Sequence, residues 1–331
     1  MTPELKAYLE EVRAELRLDP PSERQIMREL CTHVEERIQE LRAQGVPEIQ
    51  AVRDVTVQLG RPKVLSGLLY QAHSKGSLKD MALAAAPHVA MALLFSLGLW
   101  RDLVWAPATL ALIVAVTLYG WWAAKPRWLF PWIGYALAPM VVCAYLSAPN
   151  LGRALFWPAF GLDAAPHPAA ALAVIAFFLV AGWIVVSTFL GVVRRDWILA
   201  SLMISPLPLL VSWLMYTQKA GGILNGDIQA MHSADGSMSL IFLASGLTAV
   251  AFMRIGRRGH KLTVLLAATV IGSLGLLHVH GSAVTPGSVL IVSVALLAFF
   301  FFPSFVESKV GHGEATLVWD DLLLRGPHRA D

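Results

Sequence analysis

The chain has 331 residues, 56% hydrophobic and 15% charged, with a net charge of +3, a composition that excludes an ordinary water-soluble globular protein. Charge is partitioned along it: 11 Lys+Arg and 12 Asp+Glu in residues 1–76, 12 and 6 in residues 77–306, and 3 and 5 in residues 307–331. A head without a basic excess speaks against nucleic acid as a partner, and two cysteines, Cys31 in the head and Cys143 in an apolar run, supply no disulfide framework.

In the head, Leu5, Leu9, Val12 and Leu16 recur at helical spacing and predict a first amphipathic helix. Because Met1 to Leu18 mixes charge with these apolar positions, it does not read as a secretory leader, and the head is expected to stay where it is made. Pro20 and Pro21 interrupt the pattern, and Ser22 with Gln25 reads as a capping box for a second helix. That helix carries Ile26, Leu30, Val34, Ile38 and Leu41 inward and ends at Gly45. Pro47 opens a third helix with Ile49, Val52, Val55 and Leu59 inward; after Gly60 and Pro62, a fourth carries Val64, Leu65, Leu68 and Leu69. So small a core is expected to lean on a second copy, on the membrane loops or on another protein.

The stretches YLEEVRAELR, ERQIMRELCTHVEERIQELRAQG and AVRDVTVQLGRP are similar to the small bacterial helical module called the HAAS signalling domain. It is also known as the permease prefix domain when it precedes membrane spans. The matching positions are Tyr8, Leu9, Leu16, Glu29, Leu30, His33, Glu36, Gly45, Ala51, Leu59, Gly60 and Pro62, within residues 4–72. The resemblance implies a signalling or regulatory role by association and a partner such as a PadR-type regulator system. Glu29, His33, Glu36, Arg37 and Glu40 are the candidate interaction surface. Val46-Pro47 and Val55 to Val57 depart from the Ala/Glu-rich third helix usual in that module.

Beyond the head, eight apolar runs are long enough to cross a bilayer: 81–99, 103–124, 128–147, 168–193, 197–217, 237–253, 262–280 and 287–306. The expected architecture is therefore all-α, a small N-terminal helical bundle followed by a polytopic transmembrane bundle. The alternative has seven spans, with 81–99 lying on the membrane surface. With the head inside, the inner loops hold Lys125, Arg127, Arg194, Arg195, Arg254, Arg257, Arg258 and Lys261, and the outer loops only Arg101, Arg153 and Lys219. That bias predicts that both termini are cytoplasmic, and the resemblance of the head implies a bacterial inner-membrane protein. Trp100, Trp105, Trp121, Trp122, Trp128, Trp157 and Trp197 fall near run ends as interfacial anchors, while mid-run Trp183 is expected to pack.

Two outer segments stand out. Residues 148–167, with Phe156, Trp157 and Phe160, suggest a loop lying back on the membrane, and 218–236 is polar and glycine-rich. No run has a charged residue in its interior, and His88 is the one ionisable group well inside one, which speaks against ion-coupled transport. The fifth run is irregular: Ser201, Ser205, Pro206 and Pro208 mark a candidate cavity or hinge, with His88 the other candidate polar site. Ala268, Gly272 and Gly275 give the seventh run a face suited to close helix contact. His278 and His280 point apart on a helix, and Cys31 with His33 lacks a second ligand pair, so no metal or other cofactor is expected. No phosphate loop, G-x-S-x-G or H-E-x-x-H occurs, and an enzyme is not expected. In the tail, Val318, Trp319 and Leu322 to Leu324 form an apolar patch expected to touch the Arg254–Lys261 loop or the head.

These features predict a membrane protein with a signalling, regulatory or accessory role, associated with lipid and with a protein partner or a second copy through residues 1–76. The alternative is a permease or transporter subunit for an apolar or lipid-like substrate, marked by a continuous cavity lined by Ser201, Met203 and Ser205.

Overall fold

A computed structural model describes residues 2–310 apart from 19, 103, 124, 157–166, 222–227 and 281–284. The expected contact of the tail patch, and the parts of the two outer segments at 157–166 and 222–227, lie outside the described residues. Every described element is helical, with no strand among the described residues.

The head comprises α1 (Pro3–Leu16), α2 (Pro20–Ala43), α3 (Glu48–Leu59) and α4 (Pro62–His73). Thr2 caps α1 by accepting from the Leu5 amide at 3.4 Å. Pro20 and Pro21 do not stop the chain before α2 but form its first turn, where a missing N–H costs nothing. At the other end, Val46 N bonds Leu41 O at 3.0 Å and Gly45 N bonds Arg42 O at 3.0 Å, with Gly45 at φ +89°. That is a Schellman closure, which glycine accepts without strain.

The α1 stripe is buried as its spacing predicts, with Leu5 and Leu9 packed on Val34 and Ile38 of α2 and on Ala51, Val52 and Val55 of α3. A second cluster joins Leu16, Leu18 and Ile26 to Tyr70 of α4. One inward assignment reverses, since Ile49 is 77% exposed. Of the apolar residues carried by α4, Val64 and Leu68 are 59% exposed each, because α4 turns Ser66 and Tyr70 inward instead.

Among the described residues, eight helices are long and apolar enough to cross a bilayer. They are α5 (Leu78–Ser96), α6 (Trp105–Trp122), α7 (Leu129–Phe156), α8 (Pro168–Arg195), the broken pair α9 (Trp197–Ile204) and α10 (Pro206–Lys219), α11 (Ile228–Arg254), α12 (Arg258–Val279) and α13 (Pro286–Val310). The start of the chain and the end of α13 meet at one end of the bundle, where Arg17 pairs with Glu307 at 3.2 Å.

The first of these helices packs inside the helical bundle. Ala84, Ala92 and Phe95 of α5 are buried, and its most extensive neighbour is α11, approached closely at Gly246. Around this pair, α8 and α13 are peripheral, with Leu179, Val186, Ile291 and Phe305 exposed, a surface suited to lipid. Trp183 is 45% exposed there rather than packed inside, whereas Trp100, Trp128 and Trp132 belong to the core.

Both ragged outer segments are partly helical: α7 continues to Phe156, and α11 begins at Ile228, so 148–156 and 228–236 extend spans. Prolines also sit inside α5, α7 and α13 without breaking them. Pro87 leaves the Leu83 carbonyl without its helical donor, and the Trp132 indole donates to that oxygen at 2.7 Å. Such substitution by a neighbouring helix is what lets proline persist in a span.

Candidate functional site

The fifth span breaks where the sequence expects it. α9 ends at Ile204, and Pro206 opens α10. Pro206 cannot bond the Leu202 carbonyl, and the Ser205 hydroxyl donates to it instead at 2.9 Å. One flank of the break is closed by α7: a Cβ built on Gly134 would lie 1.9 Å from the Met203 carbonyl oxygen and 3.3 Å from Pro206 Cδ. The opposite flank is a partly open cavity of about 120 Å³ bounded by α9–α13, into which Ser201, Ser205 and Pro208 face.

Of the residues expected to define a cavity or hinge, these three line it, Pro206 sits in the break, and Met203 is fully buried elsewhere. The remaining walls carry Ser245 and Thr248 of α11, Thr269 of α12 and Phe300 of α13. The small face of α12 is divided in use. Gly275 packs against Ile241, as a contact face should, but Gly272 has nothing within 4 Å of an added Cβ and borders the cavity with Ala268.

His88 is not part of this cavity. Its ring nitrogen Nδ1 lies 2.8 Å from the Tyr135 hydroxyl of α7, the two rings packing edge to face. Among the described residues, its Nε2 has no hydrogen-bond partner. At the C-terminal end of α12, the His280 Nε2 meets the Ser212 hydroxyl at 2.8 Å, while His278 is exposed.

The densest polar constellation is one that sequence reasoning missed, where the head seats on one end of the spans. Arg127 Nη1 donates to Ser74 O at 2.8 Å, the Ser74 hydroxyl to Gly256 O at 2.8 Å, and Gly76 N to Met253 O at 2.8 Å. Lys261 Nζ lies 3.3 Å from the Tyr70 hydroxyl and 3.4 Å from Ser74 O, above the Tyr70 and Phe252 rings. Beside it, Arg258 pairs with Asp196 at 2.7 Å, and that carboxylate also caps α9 through Ile198 N at 3.1 Å. Arg195 reaches Leu18 O at 3.2 Å, just after the left-handed turn at Arg17 (φ 48°) that closes α1. Burial foremost, and the Asp196 carboxylate next, push the Tyr70 hydroxyl up, while Arg127, Arg258 and Arg17 pull it down.

Three of the cations counted for orientation, Arg127, Arg195 and Lys261, therefore also hold the head, while Arg258 ties α12 to the α8–α9 turn through Asp196. Their partners stand 53 to 191 residues away for the contacts of Arg127, Arg195 and Lys261, a separation that hides them from any local pattern. The one local signal was Asp196, a carboxylate directly after two arginines and before an apolar run.

At the opposite end, Asp235 of α11 accepts from the Trp100 indole at 2.8 Å and from Arg101 at 3.0 Å. His232 stands beside the same pair, 3.2 Å from Arg101. Trp100 packs against Phe95 and Trp213, so this cluster clamps the α5–α6 turn onto α11. The charge arises because α11 begins earlier than its apolar run.

On the head, Glu29, His33, Glu36, Arg37 and Glu40 are all exposed along α2. Their contacts are local: Gln25 to Glu29 at 3.0 Å, His33 to Glu36 at 3.6 Å and Arg37 to Glu40 at 2.7 Å. Exposed pairs of this spacing contribute about 0.3–0.5 kcal/mol each, so a partner can displace them at small cost. No protein-family model matches this chain, and no curated protein and no solved structure matches it.

Proposed function

We propose that this chain is a regulatory protein of the bacterial cytoplasmic membrane, in which eight spans anchor and position a cytoplasmic helical head that binds a protein partner. The reading is carried by the junction: Arg127, Arg195 and Lys261, with the Ser74 hydroxyl on Gly256 O, tie α4 and the α1–α2 turn to the ends of α7, α8 and α12 and to the α11–α12 turn. A change in how those spans pack must move the head or break buried polar bonds, so body and head are mechanically coupled. The exposed face of α2 at Glu29, His33, Glu36, Arg37 and Glu40 is where a partner docks, by resemblance a member of a PadR-type regulator system. Full-length protein in lipid nanodiscs tests this with a purified PadR-type regulator. Binding is expected, and E29K, E36K and E40K together abolish it. Absence of binding, or binding indifferent to all three reversals, defeats the reading.

A second reading, a permease for an apolar or lipid-like substrate, is favoured by the cavity beside the broken fifth span. Its volume of about 120 Å³ is close to that of a cavity that holds one benzene and small for a path through about 30 Å of hydrocarbon. Release of an entrapped apolar fluorophore from proteoliposomes, faster than from empty vesicles, decides for transport.

A further inference from the structure

We propose that the cavity between α9, α10, α11, α12 and α13 binds the hydroxyl end of a long-chain aliphatic alcohol dissolved in the membrane. The assignment concerns the spans alone and stands whether or not the head recruits a partner.

The chemistry follows from where the hydroxyl protons go. Ser205 donates to Leu202 O at 2.9 Å, Ser245 to Ile241 O at 2.9 Å, Thr248 to Ala244 O at 2.8 Å and Thr269 to Leu265 O at 2.8 Å. The Ser201 proton lies between Phe300 O at 2.8 Å and Trp197 O at 2.9 Å. A hydroxyl has one proton and two lone pairs, so five groups with committed protons offer the cavity acceptors alone. Ser205 is held to this role most firmly, because without it the Leu202 carbonyl that Pro206 strands would have no donor in a water-free span.

Such a lining selects a ligand that donates. A carboxylate brings acceptors and a charge, and a protonated amine brings a charge; no cavity-lining residue is ionisable, so either ion would be buried uncompensated. A neutral hydroxyl both donates and tolerates the apolar walls of Leu209, Leu265, Leu296 and Phe299. The volume of about 120 Å³ accommodates a chain end and a few methylenes rather than a whole drug-sized molecule. At the rim, Ile271 is 58% exposed on a membrane-facing helix, so the rest of an aliphatic chain can extend into lipid.

Gly272 supplies the test, since a side chain there enters open space rather than a neighbour. The full chain is placed in phosphatidylcholine nanodiscs with hexadecanol carrying a photoreactive diazirine, or with its methyl ether, which has the same chain but no donor. Crosslinks located by peptide mass spectrometry are expected on α11–α13, about five-fold more from the alcohol than from the ether, as one hydrogen bond dictates. Gly272→Val is expected to remove the alcohol's preference for these helices. Gly182→Val on peripheral α8, where an added Cβ also meets nothing within 4 Å, leaves it intact. Equal labelling by alcohol and ether in the unsubstituted protein overturns the proposal. So does labelling that survives in a Gly272→Val protein that elutes as the unsubstituted protein does. If Gly272→Val fails to fold, the alcohol-to-ether ratio alone decides.

Discussion

At Gly134 the fold has room for a hydrogen and nothing larger, since a methyl there would sit 1.9 Å from the Met203 carbonyl oxygen. The contact is possible because α7 crosses the fifth span at its break, where backbone rather than side chain forms the surface. Gly134→Ala must push α7 away along much of its length, and we expect it to cost about 3 kcal/mol. Gly272→Ala is the matched control, because its methyl meets nothing, and it should stay within about 0.5 kcal/mol of the original protein. Thermal unfolding in detergent, with the folded fraction read by size-exclusion chromatography, separates the two. Equal behaviour would mean that α7 does not pass the break at Gly134. Neither role is legible in the sequence, where both are glycines in apolar runs. The break itself is legible, because Pro206 and Pro208 remove backbone donors wherever they stand.

Among the elements, the turn from α8 to α9 shows how one residue can serve two structures. Asp196 caps α9 through Ile198 N at 3.1 Å and pairs with Arg258 of α12 at 2.7 Å, with its own side chain almost wholly buried. Asp196→Ala removes a cap and leaves a cation facing a buried void, so it should cost about 2–4 kcal/mol. Arg258 is partly exposed, and Arg258→Ala should cost less. The double variant should fall short of the sum of the two losses by about 1 kcal/mol. Strictly additive losses in the same unfolding assay would show that the pair carries no coupling. What the sequence reveals at this scale follows from solvent. In α1, water forces Leu5, Leu9, Val12 and Leu16 onto one buried face, and the stripe is readable. In α4, the small Ser66 and the amphipathic Tyr70 turn inward while Val64 and Leu68 face out, so apolar spacing points the wrong way. In α11, hydropathy marks only where the helix becomes apolar, and the polar first turns bearing His232 and Asp235 are invisible to it.

For the whole molecule, the seating of the head constrains the number of crossings. The end of α4 bonds to Met253 and Gly256 between α11 and α12, Arg195 at the end of α8 bonds to Leu18, and Glu307 near the end of α13 pairs with Arg17. All of these termini must share one layer with the start of α5. Helices that cross the bilayer in turn meet that condition only if the number of crossings before each such end is even, which requires α5 to cross. If α5 lay on the surface, every later terminus would change sides relative to the head. The excess of Lys and Arg at the head end predicts that this layer is the cytoplasmic one. A chain lacking Cys31 and Cys143, with a single new cysteine at Lys63 of α4 or Lys219 at the end of α10, tests both statements. In intact cells, a membrane-impermeant maleimide should label position 219 and spare position 63; after permeabilisation it should label both. Labelling of position 63 alone in intact cells would invert the protein in the membrane. Identical labelling of the two positions would place them on one side, remove α5 from the membrane and leave seven crossings.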